Sequence, residues 1–295
     1  MGSVALRSPV LTAAGTSGYG DELAGYGDLR ALGAVVTKSL ANFAWGGNPP
    51  PRVAASGEHM LNAVGLAGPG VVAWRAYDLE QLVTRGVTVV GSIWGRNVDE
   101  FGEAARAMRG AKIAALEVNV SCPNLEDRSR IFAHSTTATG DVVAACREAG
   151  VPLWVKLSPN TPDLVAIAGA ALDAGAEALV LVNTVLGLAI DVERRRPALG
   201  QGGGGVSGSG ILPVALRAVY DCHAAFPHAP IVGVGGVSSG RDAIAMIMAG
   251  ANAVQVGTAT FANPRAPWLI QGAMTKWLRR HEVANLDEIR GVAHG

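Results

Sequence analysis

Eight short apolar runs, spread along the whole chain, constrain the fold more than any other feature. They are "PVLTAA" (9–14), "GAVVTK" (33–38), "VTVVGSI" (87–93), "AALEVNV" (114–120), "PLWVKL" (152–157), "ALVLVN" (178–183), "PIVGVG" (230–235) and "AVQVGT" (253–258). Most follow a glycine or proline and end in polar or glycine-rich turns, the pattern of strands buried on both faces. Between several of them lie amphipathic helical stretches: 98–110, 138–150, 161–176, 211–226 and 239–251. Two of these end in "AGA" just before the next strand, where glycine closes a helix with positive φ. Strand–helix alternation implies right-handed parallel crossovers, and eight strands imply closure into an α/β (β/α)8 TIM barrel. An open doubly wound sheet is the rival arrangement. The 295 residues suit one barrel, and no linker or low-complexity segment divides them, so a single domain over 1–295 is expected.

Two connections exceed ordinary turns. Residues 39–86 hold "NFAWGGNPPPRVAASGEHMLNAVGLAGPG", whose prolines and glycines forbid a long helix, and residues 184–229 hold "GQGGGGVSGSG" (200–210). In a barrel, long βα loops of this kind cover the C-terminal face where active sites lie. A glycine run taken alone reads as a mobile loop.

Residues at the strand ends should converge on one mouth. Lys38 and Lys156 close the second and fifth runs in a chain with only four lysines against twenty arginines. Charges at the rim of a dry barrel need anionic partners, so this pairing points to ligand binding. "GVGGVSSG" (233–240) and "VGTATF" (256–261) follow the last two strands, where barrels commonly take phosphate on backbone N–H groups, with Ser238, Ser239 and Thr258 offering hydroxyls.

Formal charge is zero, which leaves no general electrostatic footprint for nucleic acid. The first fifteen residues carry too short an apolar run for a signal peptide or membrane anchor, so a cytoplasmic protein is expected. The three cysteines fit neither a disulfide framework nor a metal pair, and no metal is expected. Cys146 and Cys222 sit in helical patterns and read as packed hydrophobes. Cys122 differs, because it follows a strand among polar neighbours in "LEVNVSCPNLEDR" (116–128). His59 and His134 read as structural, and "NLEDRSRIFAHS" (124–135) as a lid whose Arg128 or Arg130 steers an anion.

Seven segments in order, "GNPPPRV" (47–53), "MLNAVGLAGPG" (60–70), "EVNVSCPN" (117–124), "VKLSPN" (155–160), "LVNT" (181–184), "GVGGV" (233–237) and "VGTATF" (256–261), give the chain its resemblance to the dihydroorotate dehydrogenase family. These are flavin mononucleotide (FMN) enzymes on a (β/α)8 barrel, and the likeness runs from about Pro9 to Pro264. "LNAVGL" together with the cysteine of "SCPN" is similar to the branch whose catalytic subunit works with a second, iron–sulfur and flavin-containing subunit that exchanges electrons with NAD. The resemblance implies oxidation of dihydroorotate to orotate, in pyrimidine biosynthesis, with a homodimeric core. It implies Cys122 as catalytic base with Lys38 beside it. Lys38, Asn62, Ala63, Val64, Gly65, Leu66, Asn119, Asn124, Asn183 and Thr184 would hold substrate. Lys38, Ser39, Asn119, Lys156, Val182, Gly208, Gly235, Gly236, Gly257 and Thr258 would hold FMN.

The implied chemistry suits these residue types. Two hydrogens leave adjacent carbons, one as hydride to the flavin and one as a proton, so a base is needed. A thiol, with an ordinary pKa of about 8.5, reaches its thiolate near neutrality more readily than serine. Asparagine amides match the alternating donors and acceptors of a pyrimidine ring. The chain departs from the family at Ala14, where serine is usual, at Ser92, where asparagine is usual, after "SCPN", and in "SGSG" (207–210). Other readings are an FMN barrel acting on a related dihydropyrimidine or another small substrate, a dihydrouridine synthase, which would need a basic face, and an aldolase using Lys156 as a Schiff base.

Overall fold

Each of the eight apolar runs contributes one strand of a single parallel sheet. A computed structural model describes residues 1–57, 59–121 and 132–295. Its strands are β1 (Val10–Thr12), β2 (Val35–Val36), β3 (Val89–Ile93), β4 (Ala115–Asn119), β5 (Leu153–Leu157), β6 (Ala178–Leu181), β7 (Ile231–Val234) and β8 (Ala253–Val256). Neighbours in sequence are neighbours in space from β2 to β8, and β8 pairs with β1. Closure comes where β1 meets β2, through Gly33 N–H to Val10 O at 2.7 Å and Thr12 N–H to Ala34 O at 3.2 Å. The (β/α)8 barrel is therefore as expected, and the open-sheet rival is excluded.

The helices are α1 (Val71–Thr84), α2 (Val98–Met108), α3 (Thr136–Cys146), α4 (Leu164–Asp173), α5 (Leu212–Ala225), α6 (Gly240–Met248), the short α7 (Ala259–Ala262) and α8 (Ala266–Arg280). Side chains fix their starts: Asn97, Ser135 and Asp163 accept N–H bonds at the heads of α2, α3 and α4, which satisfies donors a helix cannot pair itself. Gly175 and Gly250, the "AGA" glycines, take φ of +108° and +121° where the chain turns back into β6 and β8.

One expectation needs correction. Residues 39–86 are not all insertion, because α1 begins at Val71, directly after the last glycine of the proline- and glycine-rich stretch. Breakers act locally, and the fourteen residues after Gly70 contain none.

Two apolar layers result. One lies between strands and helices and includes Trp74, Phe101, Met108, Leu116 and Ile247. The other fills the barrel and includes Leu11, Val36, Val90, Trp154, Val180 and Val232. Along β4 and β5 the inward side turns polar toward the C-terminal ends: Glu117 and Trp154 are register partners, and Asn119 and Lys156 follow two residues on. Burial of those polar groups is costly unless they are paired, which makes this end of the barrel the place to look for chemistry.

Candidate active site

The loops after β2 and β6 roof the mouth with a four-stranded antiparallel sheet. Its order is Val53–Ser56, His59–Asn62, Gly204–Gly208 and Val185–Gly187. Residues 204–208 of the glycine run are thus a central strand, not a mobile loop. Close packing explains its composition: a Cβ on Gly205 would stand 2.1 Å from Thr184 Oγ1, and one on Gly204 2.5 Å from Asn62 O. The preceding loop braces the same roof. Trp45 Nε1 donates to Gly65 O at 2.9 Å, Asn48 Nδ2 to Ala63 O at 3.1 Å, and Arg52 Nε to Asn48 O at 2.6 Å. Gly65 and Leu66 both adopt positive φ, at +71° and +60°. The two motifs "GNPPPRV" and "LNAVGL" therefore hold each other in shape.

Below the roof, four asparagine and serine side chains interlock. Asn119 Nδ2 donates to Ser39 Oγ at 3.3 Å, and Ser121 Oγ donates to Asn119 Oδ1 at 2.8 Å. Asn183 Nδ2 donates to Ser121 Oγ at 2.8 Å, while its Oδ1 accepts from Thr184 N–H at 2.9 Å. Both amides are thus oriented by partners before any ligand arrives, which is what a selective site requires.

Deeper still lies a charged pair. Lys156 Nζ is 3.9 Å from Glu117 Oε1, and both side chains are almost fully buried. Glu117 Oε2 accepts from Gln255 Nε2 at 2.8 Å, and Oε1 accepts from Ser92 Oγ at 3.3 Å. Ser92 also lies 2.9 Å from Ser39 Oγ. Ser92, one of the departures from the family pattern, therefore sits under the site in this network and not in the wall. Ala14, the other, lines the cavity.

The rim after β7 and β8 is glycine-rich, with Gly235 and Gly236 at φ +123° and +77°. The serines expected to help there are engaged elsewhere. Ser239 Oγ accepts from Asp242 N–H at 3.2 Å, and the Asp242 carboxylate accepts from Ser238 N–H, Ser238 Oγ and Ser239 N–H. An acidic cap on α6 has consumed those donors. Among the described residues, no intramolecular acceptor is found for the N–H groups of Gly236, Val237, Thr258 and Ala259, so any anion at this rim would be met there.

These parts enclose one cavity of about 500 Å³, within the range of cofactor and ligand sites. Its walls include Lys38, Ser39, Asn62, Val64, Gly65, Leu66, Asn119, Lys156, Val182, Asn183, Thr184, Gly208, Gly235, Gly236, Gly257 and Thr258. Ala63 is the exception among the described candidates. It packs with Leu61 and Leu199 on the other side of its strand, because neighbouring side chains of an extended segment point opposite ways. Cys122, Asn124, Arg128 and Arg130 lie outside the described residues. Missed from the sequence were Glu117 and Gln255 beneath the site, and Ser207, Ser209 and Asn263 in its wall. A carboxylate in the middle of a doubly buried strand was the signal for Glu117. Ser209 stood in plain view within "SGSG".

The other two cysteines are sealed in the helical layer. Burial pushes the Cys222 thiol up to about 12 and the Cys146 thiol higher still. Neither is a nucleophile or base near neutral pH. His59 lies beside Gly210, its buried Nδ1 without a partner among the described residues, and His134 is exposed. Among the described residues there is no cluster of potential metal ligands, and no helix is long and apolar enough to cross a membrane.

A dihydroorotate dehydrogenase family model matches residues 2–278. Three relatives described as "Dihydroorotate dehydrogenase B (NAD(+)), catalytic subunit" are similar along nearly their whole length. The Pelobacter propionicus protein is 45% identical over 289 residues, covering 97% of this chain and 95% of its own. The Trichlorobacter lovleyi protein is 43% identical over 297 residues, 100% and 97% respectively. The Desulforudis audaxviator protein is 44% identical over 291 residues, 98% and 94% respectively.

Proposed function

Because the chain belongs to the dihydroorotate dehydrogenase family, we propose that it oxidises dihydroorotate to orotate in pyrimidine biosynthesis, using FMN held in the roofed cavity. The observation that carries this reading is the convergence of two lysines, two pre-oriented asparagines and an anion-ready rim on one cavity. Membership in the family leaves no ground for the dihydrouridine synthase and aldolase alternatives.

The residues present fit a phosphate-bearing, planar cofactor. The amides of Gly236, Val237, Thr258 and Ala259, unpaired among the described residues, would take the phosphate, and the buried Lys156 and Asn119 would meet the ring. Bound FMN would supply the hydride acceptor. Lys38, Asn62, Asn183 and Thr184 would hold the substrate carboxylate and ring amides. Any of those polar groups left unpaired in a closed site costs about 1–3 kcal/mol, which is the source of selectivity. Cys122 would take the proton, with the roof excluding water from the exchange.

The relatives' description as NAD(+) catalytic subunits supports a separate electron-transfer subunit as the route by which electrons leave, and iron–sulfur and flavin groups on that subunit are part of the same proposal. A homodimeric core and a cytoplasmic setting belong to the same reading.

Anaerobic mixing of the FMN-loaded protein with dihydroorotate tests the proposal. The visible flavin band should bleach as orotate accumulates in equal amount. A loaded protein that dihydroorotate fails to bleach, while another dihydropyrimidine succeeds, would replace the substrate and leave the cofactor standing.

A further inference from the structure

Among the described residues Glu117 is the most deeply buried acid, and the proposed chemistry gives it no part. It is fully buried, does not line the cavity, and reaches the site only through its neighbours. Three other strands converge on it: Ser92 from β3 and Gln255 from β8 donate to its two oxygens, and Lys156 from β5 stands 3.9 Å from Oε1. Lys156 in turn is part of the cavity wall. The carboxylate thus stands behind the cavity wall, next to an ammonium that forms part of it.

A carboxylate with no water around it is maintained only by paired charge and hydrogen bonds. Two donors that lie outside the cavity wall, Ser92 and Gln255, hold this one in place. In surroundings of low effective dielectric, a unit charge at this distance from a lysine strongly alters the field beyond it. Its effect on a cavity occupant has a definite sign. The carboxylate offsets the lysine's positive charge and disfavours any further negative charge in the cavity.

We propose that Glu117 is a positioning residue that sets the flavin's reduction potential by aiming the Lys156 ammonium and partly cancelling it. This rests on the reading that Lys156 holds the flavin. Glu117 keeps the potential low. Electrons taken from the substrate therefore leave readily for the next acceptor and are not retained on an over-stabilised reduced flavin.

The test is the midpoint potential of bound FMN, measured against a reference dye with no substrate present. Glu117→Gln keeps the side-chain volume and can still bond Ser92 and Gln255, yet removes the charge. Its midpoint should move to a more positive value than wild type. Glu117→Asp retains the charge but withdraws it from Lys156 by one methylene, and should fall between the two. If the Gln variant does not take up FMN, the Asp variant carries the test alone. A midpoint equal to wild type in the loaded variants overturns the proposal. Wild-type protein that takes up no FMN contradicts the reading of the site instead. Wild-type protein that is bleached by dihydroorotate, with variants of unmoved midpoint, contradicts Glu117's role and nothing else.

Discussion

Lys156 and Glu117 form an ion pair inside the barrel, 3.9 Å apart, with side-chain exposures of 6% and 0%. Deleting one member of such a pair leaves an uncompensated buried charge, which is far costlier than never having built the pair. Lys156→Met should therefore lower the stability of the flavin-free protein by about 3–5 kcal/mol. Adding Glu117→Gln to it should restore most of that loss. Urea unfolding of the two variants measures both, and a double variant no more stable than the single one would show that the pair is not coupled.

Gly205 and Thr184 are in closer contact than any side chain at 205 would allow. Gly205→Ala must displace Thr184 or bend the roof strand, and overpacking of this kind costs about 1–3 kcal/mol. Thr184 lines the cavity, so KM for dihydroorotate should rise while FMN stays bound. Unaltered KM together with unaltered stability would mean that the roof yields freely at this point.

Cys146 and Cys222 should resist thiol reagents in the folded protein, because burial raises both thiols. Both should be protected from reagent in native protein and react once it is unfolded. Cys122→Ala should slow flavin reduction by roughly 10²–10⁴, the scale of a positioned base. Flavin reduction at wild-type speed in that variant would remove Cys122 from the proton-transfer step.

His223 lies against the C-terminal turn, its ring 5.0 Å from that of His294, which itself stacks on Tyr220. Desolvation first, then His294 and Arg290, lower its pKa. A histidine depressed in the fold gains its proton on unfolding, so the unfolded chain binds more protons as pH falls through the window below about 6.5. Stability should be fully present above that window and decline through it. His223→Asn should show a shallower decline in Tm over the same range, and equal slopes would contradict the assignment.

Much of this was readable from the chain. Strands buried on both faces form continuous apolar runs, so all eight barrel strands stood out, as did the residues at their ends such as Lys38, Asn119 and Lys156. What escaped notice depended on partners distant in sequence. The run 200–210 looked like slack chain because its glycines gain meaning only from Thr184 and Asn62 packed against them. Ser238 and Ser239 looked available until Asp242 proved to hold their donors. Glu117 sits within an apolar run, and its link to Gln255 spans 138 positions and needs a closed barrel to exist.

The roofed cavity is expected to hold FMN between the glycine rim and Lys156. A crystal structure of the protein loaded with FMN and orotate measures it most directly. The flavin phosphate should lie on the amides of Gly236, Val237, Thr258 and Ala259, the ring against Lys156 and Asn119, and orotate under the roof beside Asn183 and Thr184. Density for the flavin anywhere else, or a cavity that stays empty at saturating FMN, would contradict the account.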